Sequence, residues 1–585
     1  MKRAGICTLL LGLTLAPTAA WALPESLQTS AQKSGFQITG RYDEVPRLAH
    51  AFAQRWPDRV RVETFGTSPE GRPMLALVVS GANALTPEQA RAKNLPVMLF
   101  QGGIHSGEID GKDAGFWALG DMLERDEPSL KNVVLVFVPV FNVDGHERFG
   151  RWNRPNQNGP EEMGWRVTSA NLNLNRDYAK AESPEMRAML GLLNRWDPIL
   201  YVDLHATDGA RFQPDVAVLV EPKYVGDPEL FPMTRKMQTE TMSALKAKGS
   251  MPLDFYPSFR TYTDPASGFS DSAYPPRFST GYWALHNRMA MLVETHSWKS
   301  YPERVKVTRE ILDALTRLTA RDGQAWLSQA KAADRTASNL GGKEVAVKYR
   351  TAEKNSKTLD FPGYAYSWVD SSISGGKALV YDVSKPVDWK VPFYEDVETE
   401  VLVKAPSKGY YVPAAHAGWM GEKLHSHGIT FETLDKPAEQ RPFEVFRASE
   451  VKLAPKTLEG KTVATLQGEW RAEPQTLPSG SLFVPIAQPN SRLVMALLEP
   501  RAPDSYAAWG FFNAHFEQKE YMEEYVLEQV APEMMREHPE IRREFEQRLK
   551  DDPEFAKSSE ARLEFFYQKH PSYDCKQNLY PVLRD

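Results

Sequence analysis

His105-Ser106-Gly107-Glu108 sets an imidazole and a carboxylate three residues apart, just after a Gly102-Gly103 turn that ends the apolar run 97–100. Imidazole with carboxylate is an N/O ligand set that suits zinc, and a catalytic zinc needs a third protein ligand and an open position. The chain has 12 histidines, so one His-x-x-Glu is expected from composition alone, and by itself the motif reads equally as a turn with a solvated imidazole. His205 closes the apolar run 200–204, ahead of the polar Thr207-Asp208-Gly209. If the two runs are neighbouring strands, both histidines face one crevice, whereas taken alone His205 reads as a core or capping residue. Arg166 and the pair Asn175-Arg176 add guanidinium forks that match a carboxylate, with an amide donor alongside. Glu294 ends the run 289–293, where loss of water raises a carboxyl toward the range of a useful general base. Each of these charged residues, read singly, also fits a surface salt bridge.

The elements that must position these groups are legible as two alternating patterns. Segments 60–65, 73–79, 97–100, 133–141, 199–204, 216–220 and 289–294 are short, β-branched or apolar, and bounded by turn residues, which predicts strands of one sheet. Between them, 112–125, 184–196, 232–248 and 302–331 carry apolar residues at helical spacing. This alternation predicts an α/β domain with helices on both faces of the sheet, and continuous Val/Ile/Leu runs fit strands covered on both sides. Around 335–344 the pattern dissolves into Ser, Asn, Gly-Gly and Lys, read as a linker. Residues 345–585 then form a second, β-rich region, with strand-like runs at 378–381, 398–403 and 463–466 and a charged, aromatic stretch of helical spacing at 504–569.

With 585 residues, 42% hydrophobic and 25% charged, the chain has globular composition, which disfavours disorder, collagen and coiled coil. A formal charge of −6 gives no electrostatic reason to bind nucleic acid or an anionic membrane surface. Lys2 and Arg3, the apolar run 4–16 and Ala20-Trp21-Ala22 read as a signal peptide over 1–22, too short for a span that needs about 20 apolar residues. Its removal takes away both basic charges and Cys7. That leaves a mature charge of −8 and Cys575 alone, so no intramolecular disulfide can form. The expectation is a soluble exported protein, periplasmic or secreted, with no membrane span once the signal is gone.

Taken together and in chain order, His105-x-x-Glu108, Arg166, Asn175-Arg176, His205 and Glu294 resemble the zinc metallocarboxypeptidases of the carboxypeptidase A type. The resemblance covers about residues 35–330 and includes Asn142-Val143-Asp144-Gly145, where the family usually has Asn-Pro-Asp-Gly. It implies a catalytic domain over 23–335, built on a mixed, mostly parallel sheet flanked by helices. It also implies one Zn2+ per chain, held by His105, Glu108 and His205 with water in the fourth position. Glu294 would take that water's proton and return it to the leaving amine, and Arg166 would stabilise the oxyanion. Asn175 and Arg176 would clamp the free C-terminal carboxylate of a peptide substrate, which makes the enzyme an exopeptidase.

Two departures from the family are visible. Asn173 stands where the family commonly has an Asp orienting the first zinc histidine, so it offers a carbonyl acceptor but no charge. The family's substrate-capping tyrosine is assigned first to Tyr282, with Tyr274 and Tyr262 behind it. The same zinc site would also serve a cell-wall muropeptide carboxypeptidase or amidase, and a degenerate site would leave a peptide-binding protein. His416, His425 and His427 are read as turn or packing residues, and His286 and His296 as lining or packing.

Overall fold

Eight strands form the central sheet of the computed structural model, which describes residues 23–585; the expected signal peptide lies outside the described residues. In chain order they are β1 (Val60–Thr67), β2 (Pro73–Val79), β3 (Val97–Gly102), β4 (Val134–Val138), β5 (Leu200–Thr207), β6 (Val216–Glu221), β7 (Pro252–Leu253) and, after β8 (Phe269–Ser270) of another sheet, β9 (Met289–His296). Their order across the sheet is β1-β2-β4-β3-β5-β9-β6-β7. The central four, β4-β3-β5-β9, are parallel, and the β1–β2, β2–β4 and β9–β6 pairings are antiparallel. Every residue of β3, β4, β5, β6 and β9 is buried, as expected for apolar runs without alternation.

The covering helices include Glu44–Arg55, Asp110–Glu124, Pro184–Trp196, Phe231–Lys246 and Tyr301–Ala337. Their ends follow local chemistry. Ser183 accepts from the Met186 N–H ahead of Pro184, and the helix stops at Asp197 in the left-handed region. Ser300 and Glu303 form a capping box at the start of the 37-residue helix Tyr301–Ala337. That helix runs through Ala332-Ala333 and so enters the expected linker, which shrinks to residues 338–343 before β10 (Glu344–Thr351).

In the C-terminal region β10 pairs with β13 (Val397–Lys404), while β11 (Ser356–Asp370) and β12 (Lys377–Tyr394) form a long antiparallel ribbon tied to β8. The remaining strands, β14 (Gly409–Val412), β15 (Glu432–Thr433), β16 (Ala438–Leu453), β17 (Ala464–Leu477), β18 (Leu482–Pro485) and β19 (Leu579–Arg584), make a sheet in the order β15-β18-β14-β19-β16-β17. Helical spacing was expected from 504 onward, but 504–523 holds turns and one 3-10 turn, Asn513–Phe516, and the first helix there is Glu524–Glu537. The terminal helices close around Leu527, Phe545, Phe555, Phe565 and Phe566. Elsewhere one hydrophobic cluster runs from the central sheet through Tyr282 and Trp326 into Tyr410, Leu482 and Tyr580, so the β-rich region shares the core of that sheet. Among the described residues no helix is long and apolar enough to cross a membrane. Cys575 is free and exposed.

The register brings the chemistry together. Gly102 of β3 lies beside Leu204 of β5, and His205 of β5 lies beside Glu294 of β9. Three parallel strands therefore deliver their carboxyl ends to one crevice, where ligands collect in open α/β sheets.

Candidate metal centre

The turn after β3 depends on Gly103, whose φ of +63° lies in the left-handed region. Ser106 Oγ then donates to the Asn142 carbonyl at 2.6 Å, which pins the 105–108 loop to the Asn-Val-Asp-Gly turn. Helix Asp110–Glu124 starts directly afterwards. Its Asp110 carboxylate accepts from Arg304 Nε at 2.9 Å and from Thr295 Oγ1 at 2.7 Å. The same fully buried guanidinium donates to the Lys299 carbonyl at 2.7 Å and to Asn158 at 2.9 Å, so one side chain ties together the loops that follow β3 and β9.

His105, Glu108 and His205 are all buried, and their ligand atoms lie within 4.8 Å of one another, the only such metal-capable group among the described residues. Glu108 Oε1 is 3.0 Å from His105 Nδ1, and Glu108 Oε2 is 2.9 Å from His205 Nδ1. Burial pushes His105 down to about 4 against the pull of Glu108, so its imidazole is neutral, as a metal ligand requires. His105 Nδ1 is buried without a hydrogen-bond partner. Burial raises the Glu108 carboxyl, but the charge of Arg154 leads the causes that outweigh it and hold the group well below the usual carboxylate range. Burial opposes charge on His205, but Asp203 Oδ1, 3.0 Å from Nε2, and Glu108 Oε2, 2.9 Å from Nδ1, outweigh it and hold the imidazole well above its ordinary range, a charge that a bound cation would replace. An orphaned imidazole nitrogen, an ionised carboxylate and a second imidazole form the donor set that a catalytic zinc takes.

Behind the ligands, His105 Nε2 donates to Asn173 Oδ1 at 3.0 Å, so Asn173 stands where the resemblance places an Asp. A carboxylate stands instead near the second histidine, whose Nε2 is buried without a hydrogen-bond partner. Asp203, two residues before His205 on the same strand face, accepts from Ser279 Oγ at 2.6 Å and Gln101 Nε2 at 2.9 Å while facing His205. Asn173→Asp is expected to tighten zinc by about tenfold, the lower end of what such outer partners contribute, as read by competition against a metal-binding dye. An affinity that stays the same or falls would show that the amide already suffices.

Arg154 was not foreseen. Its Nη1 lies 2.8 Å from Glu108 Oε1, and its stem packs where Gly107 leaves room, since a Cβ at Gly107 would stand 2.4 Å from Arg154 Cγ. Arg166 approaches the same oxygen at 3.2 Å but is far more exposed.

A cavity of about 280 Å³ opens on this cluster, and His105, Glu108, Arg166, Asn175, Arg176, His205 and Glu294 all line it. Burial, together with repulsion from Glu108 and Asp203, raises the Glu294 carboxyl to about 8 despite the opposing pull of His205. Arg176 lies over the Phe278 ring at 4.5 Å. Burial and then the Arg166 and Arg277 charges lower its pKa, as expected of a cation short of an anion. Asn175 Oδ1 is buried without a partner.

Tyr282 is not in the cavity. It is fully buried on the short helix Ser279–Ala284, and its hydroxyl meets His427 Nδ1 at 2.9 Å. Tyr262 is 91% exposed and does not line the cavity either, whereas Tyr274 and Tyr256 do. Tyr256 had no signal in the sequence beyond being a loop aromatic. His416 meets His515 at 3.1 Å, and His296 stacks on Phe212 at 3.9 Å, both away from the cavity lining.

Residues 47–214 match the zinc carboxypeptidase family. That stretch contains His105, Glu108, Arg166, Asn175, Arg176 and His205, and Glu294 lies beyond it. The chain is 33% identical over 121 residues to the inactive metallocarboxypeptidase ECM14 of Saccharomyces cerevisiae, covering 19% of this chain and 27% of that protein. It is 29% identical over 128 residues to carboxypeptidase B of Helicoverpa zea, covering 20% of this chain and 28% of that protein. The alignments thus span 27% and 28% of the length of these curated relatives. Among solved structures, bovine thrombin-activatable fibrinolysis inhibitor in complex with tick carboxypeptidase inhibitor gives a TM-score of 0.37 at 15% identity, covering 49% of this chain and 98% of that one.

Proposed function

We propose, from the premise that residues 47–214 belong to the zinc carboxypeptidase family, that this protein is an exported zinc metallocarboxypeptidase that removes the C-terminal residue of peptides. Its catalytic part is residues 23–335 and its leader is residues 1–22. The observation that carries the reading is the convergence on one cavity of a three-residue ligand set, a buried carboxyl and an arginine-amide pair. His105, Glu108 and His205 would hold one Zn2+, which supplies Lewis acidity to polarise a carbonyl and acidify a water.

The chain's own residues do the rest. Arg176 and Asn175 bind the substrate's terminal carboxylate, and the shelf of Phe278 under the guanidinium keeps its fork facing the cavity. Glu294, kept dry by its place in β9, takes a proton from the attacking water and hands it to the leaving amine nitrogen. Arg166, on the exposed side of Glu108, can swing to the carbonyl oxygen as negative charge develops there. Glu294 and all three ligands are present and converge, which favours hydrolysis over simple peptide binding.

The test is release of C-terminal residues from a mixed peptide library, before and after chelation and zinc readdition. One-residue trimming that disappears with chelator and returns with zinc supports the reading. Bound zinc without trimming would overturn the peptide substrate and redirect the search to muropeptides. Absence of both would overturn the enzyme.

A further inference from the structure

The loop that bears Asn173, Asn175 and Arg176 is held by the distant part of the chain. The backbone N–H of Asn173 donates to Glu459 Oε2 at 2.8 Å across 286 residues of sequence. Glu459 sits at the tip of the hairpin between β16 and β17, where Leu458 and Lys461 bridge and Glu459-Gly460 form the two-residue turn. Their φ values are +50° and +74°, so both central residues are left-handed, as in a type I′ turn. Asn or Asp is the usual choice at the first of these positions, and a Glu there costs backbone strain. A longer carboxylate is what the 2.8 Å contact to Asn173 uses.

Two further contacts grip the same loop. Lys461, next in the hairpin, pairs with Glu182 at 2.7 Å, and Lys180 lies 4.8 Å from the Trp509 ring. From the other side Asp504, fully buried, accepts the Arg277 N–H at 2.8 Å and pairs with its guanidinium at 2.8 Å. That fixes the neighbouring Phe278, the ring on which Arg176 rests at 4.5 Å. Asn173 Oδ1 in turn accepts both the His105 imidazole and the Asn175 N–H, each at 3.0 Å.

We propose that the C-terminal region completes the substrate-carboxylate site. Glu459 is a positioning residue that sets the Asn173–Arg176 turn, and Asp504 sets the Phe278 shelf through Arg277. This rests on the reading of Arg176 as the carboxylate clamp. It gives residues 345–585 a task in the reaction: they decide how well the enzyme distinguishes a chain end from an internal peptide bond.

The experiment uses the full chain and four variants: Glu459→Ala, Glu459→Gln, Asp504→Asn and Lys456→Ala, the last an exposed control on the same hairpin. KM and kcat are measured on a peptide with a free C-terminal carboxylate and on its amide, with zinc content and hydrogen exchange of segment 171–178 alongside. In Glu459→Ala, KM for the free acid should rise about tenfold with kcat within about twofold, and exchange at the loop should speed up by about tenfold or more. Glu459→Gln, which keeps an oxygen acceptor, should recover most of both effects. Asp504→Asn should show the same KM-only pattern even if Glu459→Ala folds poorly. Zinc content and the control should not change. Unchanged KM and unchanged exchange in Glu459→Ala overturn the proposal, and so does an equal loss on acid and amide. A parent that trims nothing, yet whose loop exchange still depends on Glu459, supports the positioning role and overturns the carboxypeptidase reading instead.

Discussion

In the Glu294→Gln variant, kcat is expected to fall by about three to four orders of magnitude while zinc stays bound, because on the proposed mechanism the change removes the general base and no ligand. The isosteric amide keeps the volume of a side chain that the structure places inside a fully buried strand. It cannot accept and return a proton. Glu294 is well placed for that work because burial and the nearby Glu108 and Asp203 carboxylates raise its pKa to about 8 before any metal is present. A zinc held by His105, Glu108 and His205 would add positive charge nearby and bring the carboxyl down toward the working range of a base at neutral pH. The measurement is steady-state kinetics beside metal analysis of the same preparation. A variant that keeps more than about a tenth of the parent kcat would remove Glu294 from the mechanism, and loss of zinc would assign it a structural role.

The second large effect is expected at Arg176. Truncation of one partner of a partly desolvated, charge-assisted pair costs about 3 to 4 kcal/mol, so Arg176→Ala should lower kcat/KM on free-acid peptides by a few hundredfold, roughly. On C-terminal amides, which offer no carboxylate to pair, the parent and the variant should be similar. The preference for the acid then collapses, although hydrolysis itself survives. Arg176→Lys should restore only part of the loss, since an ammonium cannot present the planar fork. If the acid and amide rates fell together, the guanidinium would be holding the loop rather than the substrate.

Much of this candidate site is legible in the chain because the residues that could bind a metal sit at the ends of apolar runs. His205 follows a run long enough to be a strand, His105 follows another, and Glu294 ends a third, so their convergence required only that the three strands be neighbours. Asp203 was equally visible in principle, since a residue two before His205 shares its strand face. The surrounding apolar residues made it look like part of a core. Arg154 is a different case. It comes from the irregular stretch between β4 and β5, and nothing local says that its stem will fill the space above Gly107. Tyr282 misled for a related reason. Its partner His427 lies 145 residues further on, and a hydroxyl buried by so distant a segment leaves no local trace. The boundary near 335 was placed early because Ser, Asn and Gly mark loops, but the preceding Ala-rich turn favours helix and carries Tyr301–Ala337 six residues past 331.

The place of β19 in its sheet ties the candidate site to a strand nearly 300 residues beyond Glu294. β19 does not lie at the edge of its sheet but between β14 and β16, so residues 579–584 supply an inner strand of the sheet that holds out the Glu459 hairpin. Removing residues 579–584 would therefore take an inner strand from under the hairpin that meets Asn173, while removing none of His105, Glu108, His205 and Glu294.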